Sequence, residues 1–228
     1  MTPELRRIGA HASPVVVIDD FSGETDAIVE IAASLAPFPG APGTFYPGVR
    51  RIIGEGDGPA WAYAASTMKA AAPFIGGGFD TDGFDLVEAS FSMVTTRPDS
   101  LDPAQRAPHF DSTDPNYIAV MHYLGGVNGS GTAFFRQRST GIERVDNDNL
   151  ADFVAAARSE SRELAGYTSG SNRFFEQIAV VAGVPDRLII YQGNLLHSGV
   201  IPHEMNFSSD PCVGRLTANF FIVAKHRG

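Results

Sequence analysis

The stretch YIAVMHYLGGVNGSGTAFFRQR, residues 117–138, decides how this chain folds. Its first part, 117–124, is an apolar run rich in β-branched and aromatic residues and reads as a strand. GGVNGSG at 125–131 supplies a turn. TAFFRQR at 132–138 then reads as a second strand returning as the hairpin partner of the first.

The same pattern continues on both sides. Downstream, DRLIIYQGNLLHSGVIP (186–202) gives two short strands around QGN, and GRLTANFFIVAK (214–225) gives a last strand. Upstream, DLVEASFSMVTT (85–96) alternates with a period of two, and SPVVVIDDF (13–21) reads as a short buried strand. Helical periodicity is confined to 22–38, to 58–75 with GGG at 76–78 as its end, and to 147–166. NRFFEQIAVVAG (172–183) fits a short helix or a strand, and the Gly- and Pro-rich residues 39–58 read as loop. Many short strands joined by Gly/Pro turns, with helices mostly before them, point to an α+β chain that is mainly β. The expected architecture is a sandwich or jelly roll with helices on one side, not alternating βαβ units. A single domain over 1–228 is expected. Residues 1–83 would hold an N-terminal strand and supporting helices, and 84–228 the core, with a helical insertion at 139–185 that reads equally as a lid or a structural cap.

Composition narrows the function. Hydrophobic residues at 43% and charged residues at 19% are ordinary for a globular protein, so disorder is not expected. The net charge of −9 comes without any Lys/Arg run, which argues against nucleic acid as a partner. Cys212 is the only cysteine, which excludes thiolate clusters and intramolecular disulfides. The apolar run after Arg6-Arg7 is only Val15 to Ile18, too short for a signal peptide, and nothing approaches a membrane span. A cytoplasmic location, a small-molecule substrate and no membrane partner are expected; a homodimer is left open.

Chemistry enters with APHFDST (107–113), which sets His109 and Asp111 two positions apart. With six His and 16 Asp in the chain, roughly 0.4 such pairs arise by chance, so alone the pair reads as a polar loop before it reads as a metal site. Two observations change the balance. In extended backbone, residues i and i+2 point the same way. A second histidine, His197, also sits beside an apolar strand in NLLHSG. Two imidazoles and one carboxylate leave metal positions open, as non-haem Fe(II) needs, whereas structural zinc wants four protein ligands. His203 competes with His197 but follows Pro202 at the start of an irregular polar run, so His197 is preferred. His122 would face away from a cavity that Tyr123 faces.

On the last strand, Arg215, Thr217, Asn219 and Phe221 share one face, and Leu216, Ala218, Phe220 and Ile222 the other. The second face is apolar and reads as core. The first is polar, and a guanidinium buried there asks for a carboxylate that its planar fork can grip. An edge-strand arginine paired with a surface acid fits the residue equally well.

H-x-D at 109–111, His197, and Arg-x-Thr at 215–217, in that order, resemble the Fe(II)- and 2-oxoglutarate-dependent oxygenases. The stretch MHYLGGVNGSGTAFFR (121–136) is similar to the prolyl-hydroxylase-like branch. DRLIIYQGNLLHSG and FYPGVR (45–50) are similar to a group of small bacterial members. The resemblance implies a double-stranded β-helix, the jelly roll of that superfamily. It implies His109, Asp111 and His197 as metal ligands and catalytic residues, Arg215 with Thr217 as the clamp for the distal carboxylate of 2-oxoglutarate, and Tyr123 as a further co-substrate contact. The implied cofactors are Fe(II), 2-oxoglutarate and O2. The implied activity is a dioxygenase that hydroxylates an unactivated C–H, releasing succinate and CO2. Asp111 argues against halogenation, since halogenating relatives have a small residue there. The branch commonly has Lys where this chain has Arg215, and the 18 residues from His197 to Arg215 imply a looped insertion at PHEMNFSSDPCV. Arg136, on the parity of Thr132 and Phe134, and Asn219, on the parity of Arg215, are candidates for substrate contact. Arg136 reads first as an exposed strand end beside Arg138 and second as a substrate contact. The expected substrate is an amino acid or a derivative of one. The alternatives are a protein or peptide side chain, or no turnover at all in a cupin-like metal- or ligand-binding jelly roll, for which the Arg215 clamp would have no use.

Overall fold

A computed structural model describes residues 1–40, 45–125 and 128–226. In chain order the elements are β1 (Thr2–Ile8), β2 (Ser13–Asp19), α1 (Thr25–Ser34), β3 (Gly48–Ile52), α2 (Pro59–Phe79), β4 (Gly83–Val94) and the short α3 (Pro103–Arg106). They continue with β5 (Tyr117–Tyr123), β6 (Gly131–Gln137), α4 (Leu150–Glu160), β7 (Phe175–Ala182), β8 (Arg187–Gln192), β9 (His197–Val200) and β10 (Leu216–Lys225). A seven-stranded sheet runs in the order β1-β2-β8-β5-β10-β4-β3 and a three-stranded sheet in the order β7-β6-β9. All pairings are antiparallel. This is the expected jelly-roll core with flanking helices.

The hairpin expected at 117–138 does not form. β5 pairs with β8 and β10, whereas β6 pairs with β7 and β9. The connection between them therefore carries the chain from one sheet to the other; its residues 126 and 127 lie outside the described residues. Both strands are buried on both faces, so their alternation does not say which neighbour each takes. Pairing is settled by closing the sandwich.

The large sheet buries both faces. Outward, Val16, Ile18, Phe91, Ile118, Val120, Leu188, Ile190, Phe220 and Ile222 pack under α1 and α2. Inward, Val15, Val17, Ala119, Tyr123, Ile189 and Tyr191 meet Phe134 and Val181 of the small sheet. α4 covers the small sheet's outer face through Phe153, against Ala133, Phe135 and Phe175.

Three local readings change. The helix at 58–75 runs on through Gly76–Gly78 to Phe79. At Gly78 a Cβ would come 2.7 Å from Val16 Cγ2, so the missing side chain lets α2 sit close on β2, and that packing outweighs the poor helix propensity of glycine. Residues 48–52, expected as loop, form the edge strand β3, where a Cβ on Gly48 would lie 2.0 Å from the Met93 carbonyl oxygen. Residues 175–182, open between helix and strand, are β7. No helix among the described residues is long and apolar enough to cross a membrane.

Candidate active site

His109 and His197, 88 positions apart in sequence, are brought together by backbone pairing. His109 N–H donates to the His197 carbonyl at 2.8 Å and His197 N–H to the His109 carbonyl at 2.8 Å, while Asp111 N–H donates to the Gly193 carbonyl at 2.7 Å. The H-x-D loop is thus laid along the 193–197 segment that leads into β9. The two imidazole centroids stand 4.3 Å apart. Asp111 Oδ2 is 3.7 Å from His197 Nε2, and Asp111 Oδ1 is 4.0 Å from His109 Nε2. One ligand atom from each residue falls within 4.8 Å of the others.

Electrostatics suit a cation there. Burial holds His197 down to about 4, against the Leu195 carbonyl. That carbonyl, 2.8 Å from His197 Nδ1, can only accept, so Nδ1 carries the proton and Nε2 presents its lone pair. Burial, and next the neighbouring His197, hold His109 down to about 4 as well. Its side chain is 52% exposed, so water tempers the effect there more than at His197, which is 5% exposed. Burial pushes Asp111 up to about 6, against the fields of His109 and Arg50. Two neutral imidazoles and a carboxylate whose charge is costly without a counter-cation could together hold a divalent metal and leave positions on it open.

The triad opens on a cavity of about 370 Å³ that also receives Arg50, Ser92, Tyr191, Arg215, Thr217 and Asn219. The inner face of the large sheet divides along its width. Over β2, β8 and β5 it is apolar and covered by the small sheet. Over β10, β4 and β3 it is polar and faces the cavity. Thr217 stands across from Ser92, and Asn219 from Ser90. The parity expected for β10 thus holds, with Leu216, Ala218, Phe220 and Ile222 in the helix-side core.

Arg215 is 4% exposed. Its Nη2 donates to the Gly131 carbonyl at 3.2 Å, and its carbon centre lies 5.6 Å from the Tyr123 ring. Its Nε has no hydrogen-bond partner, and among the described residues no carboxylate pairs with it. A buried cation so weakly met within the protein fits a ligand carboxylate. Asn219 Nδ2 donates to Thr217 Oγ1 at 3.2 Å.

Other expected residues fall elsewhere. Tyr123 stands behind the cavity wall, its hydroxyl 2.6 Å from Thr132 Oγ1 and its ring under Arg215. Arg136 keeps the inward parity but lies past the end of the cavity. There Nε donates to Glu143 at 2.8 Å and Nη1 to Glu176 at 3.0 Å. His203 is exposed beside Glu204. His122 faces the helices, as its parity required, with Nδ1 2.9 Å from the Tyr63 hydroxyl and Nε2 3.0 Å from Asp186. Of the 139–185 stretch, α4 lies on the outer face of the small sheet. Tyr167 reaches the cavity and donates to the Thr96 carbonyl at 2.7 Å.

Tyr191 and Arg50 are among the cavity residues that escaped the sequence reading. Tyr191 packs edge-on against His197, with centroids 4.9 Å apart. RLIIYQ is apolar on both faces, so nothing local marked that tyrosine. Arg50 lay in a stretch read as loop; its only signal was a charge inside the FYPGVR motif.

No curated protein matches the sequence. Among solved structures, the chain is similar to apo HygX from Streptomyces hygroscopicus, at 15% identity and a TM-score of 0.53 over 93% of this chain and 83% of that one. HygX with nickel, 2-oxoglutarate and hygromycin B bound gives 15% identity and a TM-score of 0.50 over 93% and 82%. An oxidoreductase of the 2OG-Fe(II) oxygenase family from Burkholderia pseudomallei gives 12% and 0.50 over 93% and 87%. These likenesses show that the chain shares the fold of those structures. Residues 1–222 match the model described as a family of unknown function, DUF6445, and the chain belongs to that family.

Proposed function

We propose that the protein is an Fe(II)- and 2-oxoglutarate-dependent dioxygenase that hydroxylates a C–H bond of a small molecule, an amino acid or a derivative of one. The observation that carries this reading is the pairing, in one cavity, of the His109–Asp111–His197 triad with the buried, carboxylate-free Arg215. A plain metal-binding jelly roll has no use for the second feature. The similarity to a HygX structure holding nickel and 2-oxoglutarate fits the same reading.

The residues present suit both groups. His109, Asp111 and His197 would hold the metal, and the Arg215 fork would grip the distal carboxylate of 2-oxoglutarate, with the Thr217 hydroxyl beside it. When bound, the metal and 2-oxoglutarate with O2 supply the oxidising equivalents and leave succinate and CO2 as co-products. The chain's own part is binding, orientation and the exclusion of water. Leu195 fixes the His197 tautomer, and Tyr191 packs the imidazole in place. Tyr46, Tyr167 and Ile201 line a largely apolar wall. The cavity volume suits a small substrate better than a folded protein segment.

The test is succinate formation from 2-oxoglutarate with Fe(II), ascorbate and O2, alongside a screen of free amino acids and short peptides for a mass gain of one oxygen. Turnover lost in Asp111→Ala and Arg215→Ala is the expected result. Absence of both 2-oxoglutarate binding and turnover in the metal-loaded protein rejects the proposal.

A further inference from the structure

Arg50 is a second cation on the cavity wall that the co-substrate does not need. It sits on β3 across from Ser92, and its side chain runs along the polar inner face of β4. Nε donates to Ser90 Oγ at 3.0 Å, and Nη2 is held by the Glu88 carboxylate. The guanidinium lies over the Phe221 ring, 5.3 Å from its centroid. Two of its nitrogens and its face are thus engaged. Nη1 makes no hydrogen bond among the described residues. The side chain is 20% exposed, so the remaining edge is partly stripped of water and turned to the cavity it lines.

The backbone of Arg50 lies in the row of Ser92, Thr217 and Tyr123, but its side chain reaches along β4 and sets the guanidinium in the row of Glu88 and Phe221. Glu88, Phe221, Ala119 and Tyr191 form one row across the sheet, and Tyr191 packs on His197, so Arg50 belongs to the metal's end of the cavity. Arg215 belongs to the end where Thr217 meets Tyr123. A five-carbon keto acid gripped by Arg215 uses up its distal carboxylate there and its other end at the metal. Arg50 is left to a different ligand.

We propose that Arg50 is the substrate anchor: held open by Ser90, Glu88 and Phe221, it binds a carboxylate of the substrate and so selects small carboxylic acids, amino acids among them. This rests on the dioxygenase reading above. A guanidinium braced on two sides and over a ring presents a fixed donor edge to a planar carboxylate, and little side-chain entropy remains to be lost on binding.

The experiment uses the full chain loaded with Ni(II) and 2-oxoglutarate, which holds the site without turnover. Twenty L-amino acids and a set of aliphatic and aromatic monocarboxylates are screened against their carboxamides by thermal shift, and hits are measured by calorimetry. At least one carboxylate is expected to bind, with its amide at least about tenfold weaker; Arg50→Gln should weaken the carboxylate by about ten- to hundredfold, and Arg50→Lys by less. Retained 2-oxoglutarate binding shows that each variant is folded, and Glu88→Gln, which loosens the brace without removing the cation, should give a smaller loss of the same kind. The inference is overturned if no carboxylate binds, if amides bind equally well, or if Arg50→Gln binds the hit as the parent does. If 2-oxoglutarate itself fails to bind the Ni(II)-loaded parent protein, the dioxygenase reading falls first and takes this inference with it.

Discussion

Replacing Arg215 by methionine should stabilise the metal-free protein while crippling its grip on 2-oxoglutarate. The guanidinium is 4% exposed, makes one hydrogen bond to a carbonyl, leaves Nε without a partner and has only the Tyr123 ring for its charge. Exchanging buried ionic groups for apolar ones of similar volume is often worth 1–4 kcal/mol in favour of the apolar form, so about 1–3 kcal/mol is expected here. In a chain of this length each kcal/mol moves Tm by roughly 2–4 °C, so the metal-free variant should melt about 2–12 °C higher. Against that, loss of a two-bonded clamp on a carboxylate, at about 1.5–3 kcal/mol for each charge-assisted bond, should weaken 2-oxoglutarate by more than about a hundredfold. Scanning calorimetry of the metal-free protein and titration of 2-oxoglutarate into the Ni(II)-loaded protein read the two halves separately. A variant that melts several degrees lower and binds 2-oxoglutarate as the parent does would refute the reasoning, because Arg215 would then be a structural residue whose cation the fold itself satisfies.

Three further outcomes follow from the same geometry. His197→Ala should abolish Fe(II) or Ni(II) binding by calorimetry and His203→Ala should leave it intact; the reverse pattern would reassign the third ligand. Burial, against the pull of Asp186, holds His122 below the usual imidazole range; against burial, hydrogen bonds from Ser22, Gly23 and His122 hold Asp186 below the usual carboxylate range. Both folded-state values are depressed, so the stability they contribute is complete above about pH 6.5 and is lost as pH falls. Urea unfolding at pH 7.5 and 5.5 should show the drop, and His122→Gln should shrink it; an equal drop in the variant would exclude His122 as its source. Arg136→Met should cost about 1–3 kcal/mol of stability by leaving the buried Glu143 carboxylate with only the Ala10 N–H, yet leave 2-oxoglutarate affinity within about twofold. A collapse of co-substrate binding in that variant would return Arg136 to the site.

Residue pattern alone carried a good deal. Period-two alternation put Arg215, Thr217 and Asn219 on one face and Phe220 on the other, and it turned His122 away from the cavity. The i, i+2 spacing aimed His109 and Asp111 together. These are properties of a few consecutive residues in extended backbone, which every strand obeys wherever it ends up. Tertiary structure decided what no local period encodes. It sent β6 to the small sheet rather than back along β5, because two strands buried on both faces look alike to any neighbour. It carried α2 through three glycines, because a close seat on Val16 outweighed their weak helix propensity. It put Tyr123 behind the wall and Arg136 beyond the cavity's end, because alternation gives the face a side chain takes and not its place along the sandwich. It also drew Arg50 out of an expected loop onto an edge strand, where it lines the same cavity as His109, Asp111 and His197. A motif can single out His109, Asp111 and His197. Which cations surround that cluster, and how dry they are, depends on contacts between residues far apart in the chain.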